Sequence, residues 1–312
     1  MTRKYTLIIL GIALMSWIAA VQDAVGFTKS SRSGAFHKHN LSKEIHRVPT
    51  KLILLSSSAL VEDQQTSEFL IQKNSEAVVP IASITKLMTA MVVLDAQIDL
   101  QESLTIESED VDTIRHSHSR LPVGIQLTRE EALLLALMAS ENRAAHALGR
   151  TYTGGQDVFV AAMNAKARSL GLAATHFTDP TGLSSGNISS AHDLARMINA
   201  AYDYPLIREF TTRKEAMIQS GRYKLAFHNT DRLIRSSRWC IGLSKTGFID
   251  EAGRCLVMQA RVAQRSILIV LLNAQGSLPR FADANRIRQW IERYPPITNT
   301  RISSVVHGTI PL

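Results

Sequence analysis

The sequence predicts an α+β fold: a mostly antiparallel sheet built from the two ends of the chain, with helices packed on it and a helical insertion between. Three observations predict it. Apolar residues recur at helical spacing from about residue 84 to residue 201. Strand-like runs lie on either side, before Val61 and after Arg222. Across 312 residues, 45% are hydrophobic and 20% charged, enough to bury a sizeable core and to exclude a disordered or low-complexity chain.

The elements follow in order. Arg3 and Lys4 precede the apolar run Tyr5 to Ala20, which is short for a membrane span and reads as a secretory leader. Ala24-Val25-Gly26 offers a small-x-small cleavage site, so residues 1–26 are expected to be a signal peptide; an uncleaved anchor is the alternative. Residues 27–47 are polar and basic and read as a linker. Their histidines, His37, His39 and His46, lack the partner carboxylates and rigid spacing of a metal site. The globular domain is placed at residues 48–293 and a short tail at 294–312.

Lys51 to Val61 is a strand-like run broken by Ser56-Ser57-Ser58. Pro80 closes a second extended segment. Ile84, Leu87, Met88, Met91 and Val92 then fall at i, i+3, i+4, i+7 and i+8, one face of a helix. Arg129 to Ala139 is apolar nearly all round and predicts a buried helix. Gln156 to Leu170 is a third helix, stopped by Gly171. Ser190 to Asp193 reads as a capping box opening a helix over Ala191 to Ala201, and Pro205 prevents its simple continuation. Strands follow at Arg222–Phe227, Trp239–Lys245, Arg254–Ala263 and Ser266–Asn273, with turns at Asp250–Gly253 and near Gln264. A last helix spans Asp283 to Arg293.

The net charge of +8 suits an anionic partner. Export and the lack of any RNP, zinc-finger or basic-aromatic pattern argue against nucleic acid. An acidic polymer outside the cytoplasm fits better, and the charge is compatible with loose membrane association. Two cysteines are too few for a disulfide scaffold. A hairpin centred near Asp250 sets Cys255 opposite about Lys245 and Cys240 opposite about Ala260. That is roughly 17 Å out of register at strand rise, so both are predicted to be free thiols. His116-Ser-His118, between Arg115 and Arg120, reads as a basic surface loop.

Ser83-Ile-Thr-Lys86 opens the first helix. Residues i and i+3 share a helix face, so the Ser hydroxyl and the Lys amine are neighbours, and a desolvated Lys can act as base for Ser. Ser140-Glu-Asn142 ends the second helix, where both polar side chains can enter a cleft. Lys245-Thr246-Gly247 lies on a strand, and Gly247 is expected to let a substrate backbone approach. Each element alone is weak. In this order and context they form the S-x-x-K, S-x-N and K-T-G set of penicillin-binding proteins and serine β-lactamases.

The wider wording resembles the low-molecular-weight D-alanyl-D-alanine peptidases. Pro80-Ile-Ala-Ser83-Ile-Thr-Lys86-Leu-Met-Thr-Ala, Ser140-Glu-Asn142-Arg-Ala-Ala, Asp179-Pro-Thr-Gly-Leu183 and Met163-Asn-Ala-Lys-Ala through Gly171 carry the likeness, which covers about Val48 to Trp290. The wording around these motifs is most similar to the periplasmic endopeptidase branch, which cuts D-alanyl-diaminopimelate crosslinks of peptidoglycan. The resemblance implies a β-lactamase/transpeptidase-like fold, a periplasmic location, peptidoglycan peptide stems as substrate, β-lactams as covalent inhibitors, and neither cofactor nor metal. It makes Ser83 the nucleophile and Lys86 its general base. Ser140 and Asn142 complete the proton path and orient the substrate amide. Lys245 holds the substrate carboxylate with help from Thr246, and the backbone N–H groups of Ser83 and Phe248 form the oxyanion hole.

Two departures stand out. Ile249 occupies a position where many relatives carry Thr. The tail from Pro295 is too short for the C-terminal β-domain and amphipathic anchor of the carboxypeptidases, which favours the endopeptidase. Three other readings compete. A carboxypeptidase shares every motif. A class A β-lactamase needs a deacylating Glu, which Phe177 to Asn187 lacks. A non-catalytic wall-binding protein has no use for an intact Ser83, Lys86, Ser140, Asn142 and Lys245.

Overall fold

The computed structural model describes residues 52–293. The leader, the linker with its three histidines and the tail lie outside the described residues. The chain enters through β1 (Ser58–Asp63), β2 (Glu68–Lys73) and the short β3 (Val79–Pro80). A 3-10 turn at Ala82–Ile84 runs into α1 (Thr85–Asp95). Next come β4 (Ser103–Thr105), β5 (Gln126–Thr128), α2 (Arg129–Leu134) and a π-helical stretch at Leu135–Ala139. The insertion continues through α3 (Asn142–Arg150), α4 (Gly155–Ser169), β6 (Ile188–Ser189), α5 (Ala191–Tyr202) and α6 (Pro205–Thr212). The hairpin β7 (Glu215–Ser220) and β8 (Tyr223–His228) leads to β9 (Cys240–Ile249), β10 (Gly253–Val262), β11 (Arg265–Ala274) and α7 (Pro279–Arg293).

The main sheet has the order β2-β1-β11-β10-β9 and every pairing in it is antiparallel. It joins the two ends of the domain around a helical insertion, as the sequence predicts. Both faces are covered, and strand alternation divides the core. Leu60, Val257, Leu268 and Val270 belong to the large cluster shared with the helices. Their neighbours Val61, Leu256, Met258, Ile267 and Ile269 pack with Phe281, Ala284, Ile287 and Ile291 of α7. Each such side chain taken from water contributes about 1.5–3 kcal/mol, and a two-sided sheet fixes its register against slippage.

Several expectations need correction. β1 begins at Ser58, not Lys51, because the preceding backbone is drawn out to Asp283. Its carboxylate accepts from Leu55 N at 3.0 Å, Ser56 N at 2.7 Å and Ser56 Oγ at 2.8 Å. The expected one-faced helix, α1, is buried nearly all round, Thr85, Lys86 and Thr89 included. The buried helix from Arg129 does not run evenly to Ala139. It widens into the π-helical stretch and ends at Ser140, whose φ of 59° is left-handed, a distortion typical of functional sites. The capping box at Ser190 is half formed: Ser190 Oγ accepts from Asp193 N at 3.0 Å. The Asp193 carboxylate instead accepts from Ala174 N and Thr175 Oγ1. Pro205 ends α5 and also opens α6, where its missing N–H costs nothing. The helices α3 and α6 and the strands β4, β5, β6 and β7 were not predicted. Cys255 lies opposite Gly247, two residues from the expected partner, and Cys240 opposite Arg261, one residue from it, with a register shift between the two pairs; both thiols are free.

Candidate active site

The Ser83 turn is held under backbone strain. Ala82 has φ +48°, unusual for a residue with a Cβ. Two glycines grip the turn. A Cβ on Gly182 would lie 2.1 Å from Ala82 O, and one on Gly247 would lie 2.9 Å from Ile81 O and 3.2 Å from Ser83 N. Gly247 therefore admits the protein's own backbone on that side, not a substrate's as expected. This close approach sets the Ser83 N–H beside the strand that carries Phe248. Phe248 is half exposed under the Arg254 guanidinium, 4.3 Å from its ring centre. Ile249 turns inward and is buried in the helix-side core.

Lys86 is fully buried, one turn along from Ser83. Its Nζ lies 2.9 Å from Ser83 Oγ, 2.7 Å from Asn142 Oδ1 and 2.6 Å from Thr181 O. Two of these partners are carbonyl oxygens, which can only accept. A neutral amine has two N–H bonds to give them, and its lone pair is left for the Ser83 hydroxyl. Asn142 is fixed in that sense because its Nδ2 donates to Ser117 Oγ at 2.8 Å. Burial drives the Lys86 pKa from the usual 10.5 down to about 7, while the negative charges of Asp179, Glu141 and Asp112 pull the other way. The amine is thus poised to accept a proton near neutral pH.

The sheet wall supplies a second buried lysine. Lys245 Nζ donates to Ser140 Oγ at 2.8 Å and to Thr246 O at 3.0 Å. Burial, then the positive charges of Lys86 and Arg280, hold its pKa well below the usual lysine range. Thr246 Oγ1 donates to Thr230 Oγ1 at 2.7 Å. Asp231, next to Thr230, accepts from Ser244 Oγ at 2.6 Å behind the same strand.

The loop after Asp179 is a structural wall. The Asp179 carboxylate accepts from the backbone N–H groups of Thr181, Gly182 and Ser184 and from Asn187 Nδ2. It thereby aims the Thr181 carbonyl at Lys86. Arg115 ties this wall to two other loops, donating to Leu183 O at 2.6 Å and pairing with Glu251 at 2.7 Å.

The structure therefore brings the predicted residues into two linked groups, Ser83–Lys86–Asn142 and Ser140–Lys245–Thr246. Sequence reasoning missed four neighbours. Thr181 and Ser117 position the amine and the amide. Thr230 meets Thr246. Arg280 is buried with Nε and Nη1 lacking hydrogen-bond partners, and burial and then Arg254 lower its pKa to about 10. Thr181 and Ser117 lie in Asp179-Pro-Thr-Gly-Leu183 and His116-Ser-His118, segments the sequence reading singled out without giving these two residues a role, whereas Thr230 lies in no motif and Arg280 is brought to the site only by the sheet-to-α7 packing.

Residues 46–276 match the family described as D-alanyl-D-alanine carboxypeptidase. The chain is 48% identical over 247 residues to the D-alanyl-D-alanine endopeptidase of Pseudomonas aeruginosa, covering 78% of this chain and 80% of that protein. It is 44% identical to the enzyme of that name from Escherichia coli, covering 77% and 78%. The crystal structure of the Streptomyces K15 DD-transpeptidase superposes with a TM-score of 0.72 at 26% identity, covering 77% of this chain and 98% of that one.

Proposed function

Since the chain belongs to the D-alanyl-D-alanine carboxypeptidase family, we propose that it is a serine peptidase cutting D-alanyl-diaminopimelate crosslinks of peptidoglycan. The observation that carries this reading is the Lys86 amine, desolvated and aimed at Ser83 Oγ at 2.9 Å. Lys86 takes the Ser83 proton as Oγ attacks the D-alanyl carbonyl, and the Ser83 and Phe248 N–H groups receive the developing oxyanion. Ser140 Oγ accepts from Lys245 and so has its own proton free for the leaving nitrogen, taking in its place the proton that Lys86 removed from Ser83. The carboxylate beside that nitrogen docks on Lys245, Thr246 and the Arg280 guanidinium, whose Nε and Nη1 lack hydrogen-bond partners, and its negative charge complements these buried groups. Asn142 orients the substrate amide. Water then hydrolyses the acyl ester, and β-lactams stop the cycle at the acyl stage.

The leader supports work in the periplasm, and the net positive charge supports loose association with anionic membrane or wall surfaces. The endopeptidase reading is favoured by the names of the relatives at 48% and 44% identity. Trimming of terminal D-Ala is the second reading, favoured by a Bacillus subtilis relative, 32% identical and named a carboxypeptidase. Digestion of a crosslinked muropeptide dimer and a monomeric pentapeptide by the wild type and by Ser83→Ala separates the two. Dimer falling to monomers only with Ser83 intact is the expected result. Release of D-Ala from the pentapeptide alone would make the enzyme a carboxypeptidase.

A further inference from the structure

Beside Ser140 the surface opens into a cavity of about 220 Å³, lined by His118, Arg120, Ala139, Glu141, Phe227 and His228. Ala139 and Glu141 flank Ser140 in the chain, so the cavity lies against the segment that carries Ser140. Its polar lining is one-sided. Glu141, its single carboxylate, is already engaged, accepting from Ser119 Oγ at 2.9 Å and from the Arg120 backbone N–H at 3.1 Å. Arg120 gives Nη1 to Ala226 O at 2.6 Å and keeps its other donors. His228 meets Glu215 through Nδ1 at 3.4 Å, leaving Nε2 open. His118 is exposed. Ala139 and the buried Phe227 ring form an apolar back. The flanking segment 213–238 carries seven Lys and Arg residues against two acidic ones, so the field over this wall is positive.

This inference rests on the endopeptidase reading. A leaving D-alanine ends at its carboxylate and methyl group. A leaving diaminopimelate offers the same carboxylate beside the broken bond. It then continues through an aliphatic chain into a second peptide stem bearing further carboxylates. The first carboxylate binds Lys245, which donates to Ser140 Oγ at 2.8 Å, and Ser140's two chain neighbours line the cavity. We propose that it is the subsite for the leaving stem: His118, Arg120 and His228 bind a stem carboxylate, and Phe227 packs against the aliphatic chain. The subsite gives the enzyme its preference for crosslinks over free pentapeptides, because a departing D-alanine never reaches it.

The test compares the wild type with the triple variant H118Q/R120Q/H228Q. Three readouts are taken: kcat/KM on the crosslinked dimer, kcat/KM on the pentapeptide, and the rate of acylation by a fluorescent penicillin. The expected result is a tenfold or greater loss on the dimer, chiefly in KM, with the other two within about twofold. Arg120 also ties its loop to β8, so the double variant H118Q/H228Q is measured beside it and must keep a loss confined to the dimer. An equal fall in all three readouts, or an undiminished rate on the dimer, overturns the subsite while leaving the endopeptidase reading intact. A wild-type enzyme that leaves the dimer whole overturns both.

Discussion

Two lysines, one on each wall of the cleft, are equally buried and stand in different surroundings. Lys86 and Lys245 are 0% and 1% exposed, and burial is the first cause of the lowered pKa in both. Their neighbours differ in sign. Lys86 feels the carboxylates of Asp179, Glu141 and Asp112, which moderate the shift and leave it near 7. Lys245 feels two cations, Lys86 and Arg280, which deepen it. Their partners differ too: two carbonyls turn the Lys86 lone pair toward Ser83, whereas Lys245 donates to a hydroxyl and a carbonyl with a third position open. Desolvation alone makes a weakly protonated lysine. The charges around it decide whether it becomes a base or a receptor for an anion.

The strongest way to break this comparison is to remove each amine in turn. Lys86→Met is expected to slow acylation by a penicillin about 10³-fold, the scale of a lost general base. Lys245→Met is expected to cost about 10²-fold on substrates with a carboxylate, in line with roughly 3 kcal/mol for unpairing a buried charge. On an uncharged ester without that carboxylate it should cost little. Stopped-flow acylation with the two substrate types reads the difference. If Lys245→Met slows the uncharged ester as severely as Lys86→Met does, the division between base and receptor is wrong.

The same contrast shows how far the sequence could be read. Both lysines were visible because each sits in a short motif whose spacing is set by its own helix or strand. The sheet ends, the helical insertion and the free thiols were legible for the same reason, since local periodicity dictates them. What stayed hidden depends on long-range packing. Thr181 reaches Lys86 from 95 residues away through its carbonyl, an atom that every residue type possesses. The unpartnered Arg280 comes to Lys245 only once α7 covers the sheet. The strand expected at Leu52–Leu55 was lost to Asp283, more than 200 residues distant. The close approach at Gly247 was anticipated, but from the wrong partner, because the 3-10 turn behind it leaves no sequence pattern.

A pH profile sharpens the comparison with a smaller effect. With Lys86 as the proposed base, acylation should rise with pH through about 7 and level off above it, falling about tenfold for each unit below. The stability consequence has the opposite reference point. An unfolded lysine holds its proton up to about 10.5 and the folded one releases it near 7, so between these values the unfolded chain binds more protons. Lys86 therefore makes the fold more stable as pH rises from 7 toward 10.5, and its full penalty applies below 7. Penicillin acylation rates and chemical denaturation between pH 5.5 and 9 measure the two. An acylation rate flat across pH 6 to 8 would remove Lys86 from the role of base.

The smallest effect tests what aims the base. Ser117 contributes nothing to the reaction directly; it accepts from Asn142 Nδ2 at 2.8 Å, and this holds the Asn142 carbonyl toward Lys86. Ser117 is itself set by the Asp112 carboxylate, which accepts from its backbone N–H at 2.8 Å. Ser117→Ala leaves the Nδ2 donor without that partner, a loss of about 1 kcal/mol or roughly fivefold in rate. Free to turn over, the amide presents N–H to the amine for part of the time, which disfavours the protonated form of Lys86 and shifts the rising limb of the acylation profile to lower pH. Ser117→Thr retains the hydroxyl and should restore both rate and profile. A loss of rate with the profile unmoved and no rescue by Thr would mean that Ser117 only packs the loop. In that case the direction of the Lys86 lone pair would be set by Thr181 alone.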